Sequence, residues 1–91
     1  MDTTTLRTFI ALAQIKNFTK TAQQLFVAQS TVTNRIRDLE MELGVPLFIR
    51  SHKQVDLTAS GQKFLDYAQR FVSLELTALQ DIQASRRTPK K

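Results

Sequence analysis

The sequence has no cysteine and no tryptophan, a single histidine, and only two glycines and two prolines in 91 residues. Without cysteine there is no disulfide framework, no thiolate zinc site and no cysteine nucleophile. One histidine and no thiol leave no ligand set for a structural transition metal. No apolar run is long enough to cross a bilayer. The opening Met-Asp-Thr-Thr-Thr lacks the basic-then-apolar order of a secretory signal. With 42% hydrophobic residues and few helix breakers, the chain reads as folded, helical and cytoplasmic. The length allows one domain, or one domain with an appended helix. A chain of this size buries only about 60–65% of its unfolded surface, so a partner would add stability.

Acidic charge is scarce in one half of the chain. Lysine and arginine number 13 against 8 aspartate and glutamate, a formal net charge of +5. Between Asp2 and Asp38 there is no carboxylate, but there are Arg7, Lys16, Lys20, Arg35 and Arg37. A segment without carboxylates can approach an anionic surface without repulsion, which fits nucleic acid as well as an ordinary solvated face. The end, Arg86-Arg87-Thr88-Pro89-Lys90-Lys91, is basic as well and reads as a flexible tail over 86–91.

The apolar pattern predicts four helices. Leu6, Phe9, Ile10 and Ala13 follow the i, i+3, i+4, i+7 spacing of a helix with one buried face, capped by Asp2 or Thr3. Thr19 is a suitable cap for a short second helix with Ala22, Leu25 and Phe26 turned inward. Val27-Ala28-Gln29 reads as a tight turn. A third helix from about Ser30 carries Val32, Ile36, Leu39 and Leu43 on one stripe and stops at Gly44 and Pro46. Leu47-Phe48-Ile49 and Val55-Asp56-Leu57 are short β-prone runs around a polar tip, the pattern of a small hairpin.

Thr58 caps a long fourth helix, Ala59 to Ser85, about 40 Å in length at 1.5 Å per residue. At about 100° per residue its apolar positions, from Phe64 to Ile82, cover an arc of about 200°. One small domain cannot cover so wide an arc. One flank is therefore expected on the domain and the other on a second copy of the chain across a two-fold axis. The candidate dimerisation residues are Leu65, Ala68, Val72, Leu76, Leu79 and Ile82. Glu75 falls inside the apolar arc and needs a partner there. A covering segment from outside this sequence is the alternative.

Two short helices joined by a three-residue turn make a helix-turn-helix, whose second helix enters the DNA major groove. Opposite the apolar stripe of the third helix lie Ser30, Asn34, Arg37 and Met41, with Thr33 on the flank. Asparagine and glutamine can pair bidentately with adenine. Serine and threonine donate or accept, and the threonine methyl can touch thymine. The C-terminal half of the same helix carries Asp38, Glu40 and Glu42, which cannot lie along phosphates. The helix is therefore expected to read tip-first, through residues 29–37. At the hairpin tip Arg50, His52 and Lys53 cluster on a projecting loop, the place of a wing that touches the backbone or minor groove.

Several of these segments carry a family resemblance. They are Phe18-Thr19, Gln29-Ser30-Thr31-Val32-Thr33, Arg35-Ile36-Arg37-Asp38-Leu39-Glu40, Leu43-Gly44-Val45-Pro46-Leu47-Phe48, and Leu57-Thr58 followed by Gly61. Over residues 4 to 85 the chain resembles the N-terminal domain of the LysR-type transcriptional regulators. The resemblance implies a mainly α fold: a winged helix-turn-helix over 1–58, with a three-helix core and a short β-hairpin wing, and a dimerising linker helix over 59–85. It implies binding to double-stranded DNA at an inverted-repeat operator. Gln29, Ser30, Thr31, Thr33 and Asn34 map onto the base-reading group, and Arg50 and Lys53 onto wing contacts.

Members of the family usually continue into an effector-binding domain, so a small-molecule effector is expected only through a C-terminal domain that this sequence does not encode. No cofactor is implied. Serine is common in the family where Ala28 stands, proline where Ser30 stands, arginine where Asn34 stands and alanine where Thr21 stands. Ser30 is then the candidate cap, adenine reading gains at Asn34, and Arg35 or Arg37 supplies the charge.

An enzyme is disfavoured, since no nucleophile–base pair, glycine-rich phosphate loop or metal cluster stands out. A protein-interaction module, with the apolar helix as its working surface, is the remaining alternative.

Overall fold

The computed structural model describes residues 1–51 and 54–87. In chain order it has α1 (Thr3–Ile15), α2 (Phe18–Leu25), α3 (Gln29–Leu43), β1 (Phe48–Arg50), β2 (Val55–Leu57) and α4 (Ala59–Arg87). The strands pair antiparallel, with Phe48 opposite Leu57 and Arg50 opposite Val55. This is the expected architecture, a winged helix-turn-helix followed by a long helix. His52 and Lys53 at the wing tip lie outside the described residues, as do residues 88–91. Arg86 and Arg87 continue α4, so the basic segment begins inside the helix.

Each helix start has its own solution for the unpaired N–H groups. Asp2 caps α1, its carboxylate accepting from Thr5 N at 2.8 Å. That bond holds the Asp2 carboxyl below the usual carboxylate range. The cap of α2 is Asn17, which accepts from Lys20 N at 2.8 Å, and not Thr19. Asparagine and threonine are both good caps, and the chain takes the one preceding Phe18 so that this ring can pack on the core. Thr58 caps α4, accepting from Gly61 N at 2.9 Å. At α3 the capping position is Ala28, with no side-chain bond, so Ser30 does not act as the cap. The helix begins at Gln29, and the turn between α2 and α3 is Phe26-Val27-Ala28.

Phe26 is not an inward residue. It ends α2 in the left-handed conformation, φ 60°, and its ring is 93% exposed. Helical periodicity placed it inside, but the reversal of the chain at the cap swings its side chain off the helix face.

The core is built from Leu6, Phe9 and Leu12 of α1, Val32, Ile36 and Leu39 of α3, Leu47 and Phe48 of the wing base, and Ala68 of α4. The Phe9 ring ties three elements together, lying 5.4 Å from Phe48 and 5.3 Å from Phe64 in tilted contacts that favour ring edge against ring face. α1 packs chiefly on α4, and α2 chiefly on α3. One polar atom in this interior stands out. Thr21 is fully buried, and its hydroxyl has no hydrogen-bond partner among the described residues. A buried hydroxyl without a partner costs free energy that an isosteric methyl does not. Thr21→Val is therefore expected to stabilise the fold by about 1 kcal/mol, read as a higher urea midpoint at unchanged slope.

The segment joining α3 to α4 explains a motif that the sequence displays without explaining. Gly44 closes α3 at φ 76°, a conformation that an L side chain resists. The Glu40 carboxylate then accepts from both Leu47 N at 2.7 Å and Phe48 N at 3.2 Å. Thr58 N donates to Leu47 O at 2.9 Å, and the Thr58 hydroxyl donates to Pro46 O at 2.7 Å. Glu40, Leu47, Thr58 and Gly61 thus form one junction that fixes the wing and the start of α4 against the core.

Candidate nucleic-acid interface

The outer surface of α3 presents the residues expected to read DNA. Gln29, Ser30, Asn34 and Arg37 are exposed, and Thr31 and Thr33 are half-buried on the flank. Two of these side chains are held by neighbours. The Thr19 hydroxyl donates to Gln29 Oε1 at 3.0 Å, and the Arg37 guanidinium donates to Asn34 Oδ1. Thr19 therefore contributes to the site as a support for Gln29 rather than as a cap. No helical spacing links residues 19 and 29 in the sequence, so only the packing of α2 on α3 shows the pair. No side chain caps α3; Thr31 N and Val32 N donate to Ala28 O, and the partial positive charge of the helix start favours a phosphate oxygen there.

The two cations offered as charge donors have different roles. Arg35 Nη1 donates to the Thr8 hydroxyl at 3.1 Å, binding α3 to α1. Arg37 stays on the exposed face.

Two of the carboxylates at the far end of α3 have partners, and Asp38 is exposed. Glu40 holds the wing base, as described above, and Glu42 pairs with the N-terminal ammonium at 2.7 Å. That ammonium is thereby pushed above its usual range, mainly by the hydrogen bond to Glu42. The net effect is a helix whose tip is free of acid and whose acidic end is partly occupied.

The wing sits against the α1–α2 turn and the start of α2. The Arg50 guanidinium lies 4.6 Å from the centre of the Phe18 ring, a cation–π contact that positions the charge next to the start of α2. Ser51 and Gln54 close the base of the tip, with Ser51 N and the Ser51 hydroxyl both donating to Gln54 O at 3.0 Å. Lys16 pairs with Asp56 at 3.4 Å, tying the α1–α2 turn to β2. The candidate contacts His52 and Lys53 fall on residues outside those described.

The candidate dimerisation residues of α4 divide into two groups. Ala68 is fully buried in the core of its own chain, and Leu65 and Val72 pack against that core. Ala68 is thereby covered by its own chain, whereas Leu65 and Val72 keep a half-exposed side. Leu76, Leu79 and Ile82 are exposed, where α4 runs beyond the rest of the fold. A cleaner stripe lies alongside. Tyr67, Phe71, Leu74, Ala78 and Ile82 are all exposed and follow one another at spacings of four, three, four and four residues. At about 100° per residue they share an arc of about 80°. A groove of about 340 Å³ continues this stripe between Leu6 and the α1 start on one side and Phe71, Leu74 and Ala78 on the other.

Glu75, the acid inside the apolar arc, is paired. It accepts from the Thr3 hydroxyl at 3.1 Å and from Arg7 at 3.3 Å, so it pins α4 to α1.

A three-helix core, a two-stranded wing and a long C-terminal helix define a winged helix-turn-helix module. The sequence profile described as bacterial regulatory helix-turn-helix protein, lysR family, matches residues 3–62. The HTH-type transcriptional regulator HdfR of Escherichia coli O139:H28 is 40% identical over 82 residues, which is 90% of this chain and 29% of the relative. The chain thus spans less than a third of the curated relatives it matches.

Among solved structures, the CbnR_DBD–DNA complex superposes with a TM-score of 0.91 at 36% identity, covering 94% of this chain and 99% of that one. The BenM_DBD/catB site 1 DNA complex superposes with a TM-score of 0.94 at 30% identity, covering 99% and 100%. The chain belongs to the lysR family of bacterial regulatory helix-turn-helix proteins. That fold and those regulators indicate a role other than catalysis. Among the described residues no helix is long and apolar enough to cross a membrane.

Proposed function

We propose that this chain binds double-stranded DNA sequence-specifically as a homodimer, each copy placing the N-terminal half of α3 in the major groove of one half of an inverted repeat. The observation that carries this reading is the composition of the α3 tip. Gln29, Ser30, Asn34 and Arg37 are exposed together on its outer face, while Glu40 and Glu42 are engaged elsewhere. Thr31 and Thr33 flank the reading group. Arg50 and the wing tip, with His52 and Lys53, serve the phosphate backbone. The long exposed stripe of α4 supplies the two-fold contact, and two half-sites a whole number of helical turns apart fit that symmetry. The two structural relatives solved with DNA support DNA binding. Any response to a small molecule is assigned to a region C-terminal to this sequence.

The test is an anisotropy titration against a randomised duplex pool, repeated across salt, with sequencing of the bound fraction. The expected affinity falls steeply with salt, by a slope of about −0.9 per phosphate neutralised, and a palindromic sequence is enriched. Dimers that show no salt-sensitive binding would replace this reading with that of a protein-interaction module.

A further inference from the structure

Resting on the DNA-reading role above, the geometry points to Arg37 as a residue that sets which base Asn34 accepts. An asparagine amide reads adenine bidentately because its oxygen accepts from N6 while its nitrogen donates to N7. Here one lone pair of that oxygen is already engaged by a cation. Arg37 lies three residues on, on the same helix face, and its guanidinium donates to Asn34 Oδ1. A guanidinium carries only donors, so the atom it binds has to be the amide oxygen and not the nitrogen. That bond assigns the amide's oxygen and leaves the Nδ2 hydrogens as its donors. An adenine amino group brought to the same oxygen would set its own donor hydrogens beside a full positive charge.

The pair therefore presents mainly donors, with a cation beside the one acceptor lone pair that remains. In the major groove guanine offers two adjacent acceptors, N7 and O6. Thymine offers O4, adenine N7 beside a donor, and cytosine a donor alone. The order of preference at the base pair facing Asn34 is guanine first, then thymine, with adenine below them and cytosine last. This reverses the adenine preference that an isolated asparagine suggests. Arg37 is a positioning residue in this scheme, acting on the base through Asn34.

Both side chains are exposed, so substitutions there leave the core intact, which far-UV circular dichroism confirms variant by variant. The bound fraction of a randomised duplex pool is sequenced for the parent protein and for Asn34→Ala, Arg37→Met, Arg37→Lys and Asn34→Asp. The position read by residue 34 is the one that Asn34→Ala relaxes. At that position the parent enriches guanine. Arg37→Met frees the oxygen and lowers the preference for guanine over adenine about tenfold, whereas Arg37→Lys, still a donor, retains part of it. Asn34→Asp, with no donor, loses guanine.

Adenine enriched by the parent at that position overturns the inference while leaving DNA reading intact. So does an Arg37→Met variant that weakens all sequences equally without changing the base, the behaviour of a plain phosphate contact. A parent that enriches no sequence at any position overturns the base-reading role itself, and this inference with it.

Discussion

Leu74→Asp is expected to yield a folded monomer that has lost specific DNA binding. Leu74 is 67% exposed in the single chain, so a carboxylate there costs the protomer little. In a dimer the same position sits at the middle of the Tyr67, Phe71, Leu74, Ala78 and Ile82 stripe, where burying an unpaired charge is strongly unfavourable. Each large apolar side chain buried across the two-fold contributes about 1.5–3 kcal/mol, so a contact of this length depends on its central positions. Two linked reading heads bind an inverted repeat with an effective concentration that a monomer lacks, and losing it lowers affinity by about 10²–10⁴. The salt slope on the full site should fall by about half as one head's phosphate contacts go. Sedimentation velocity gives the oligomeric state and anisotropy gives the affinity. A variant that remains dimeric would move the interface off this stripe.

Gly61→Ala is expected to be the most damaging small substitution in the fold. A Cβ built on Gly61 would lie 2.1 Å from Leu47 O and 2.9 Å from Leu57 Cδ2. The leucine side chain can yield, but the carbonyl cannot. It is fixed by the bond from Thr58 N, and the same Leu47 residue is held at its own N–H by Glu40. Making room requires the first turn of α4 to move away from the wing base. The expected loss is about 3 kcal/mol, at the upper end for overpacking because backbone is displaced. That is a large share of the stability of a small domain. A chemical denaturation curve measures it. The contrast is Gly44→Ala, where nothing lies within 4 Å of the added carbon and only the left-handed φ of 76° resists it, at about 1 kcal/mol. Equal losses at the two positions would deny that close packing distinguishes Gly61.

The parts of this fold that could be read from the chain are those set by local chemistry. The apolar spacing of Leu6, Phe9 and Ala13 marks α1, and the stripe of Val32, Ile36 and Leu39 marks α3. The change to short β-prone runs marks the wing. Thr58 is the cap expected for α4, and Asp2 is one of the two candidates for α1, preferred over Thr3 in the fold. The errors arose where two local rules competed. Thr19 looks like a cap, but Asn17 precedes Phe18, and the helix starts where that ring reaches the core. Phe26 looks like core by composition, yet it occupies a left-handed cap and points to solvent. Helical periodicity holds only while the backbone stays helical, and it gives no warning of the residue at which it ends.

The long-range pairs were invisible for a different reason. Glu75 meets Arg7 across 68 positions, and Thr19 meets Gln29 across a turn. No periodic signal encodes such contacts. The wheel of α4 gave the breadth of its apolar arc but not the side that its own domain covers. Ala68, fully buried in its own chain, thus shares the arc with residues that remain exposed. The arc itself contained Phe71, Leu74 and Ala78. Docking on α1 decides between the flanks, and the pairing of Glu75 with Arg7 and Thr3 records that decision. The candidate reading residues, by contrast, were legible because an outward helix face needs only the helix to be placed.

Hydroxyl-radical footprinting of the enriched duplex, with the bound stoichiometry measured alongside, tests the central claim most directly. The account predicts two protomers per duplex and two protected patches on one face of the DNA, centred one helical turn or a whole multiple apart. Leu74→Asp should lose that joint protection. A single protected patch with one protomer bound, or protection independent of sequence, would contradict a dimeric reader.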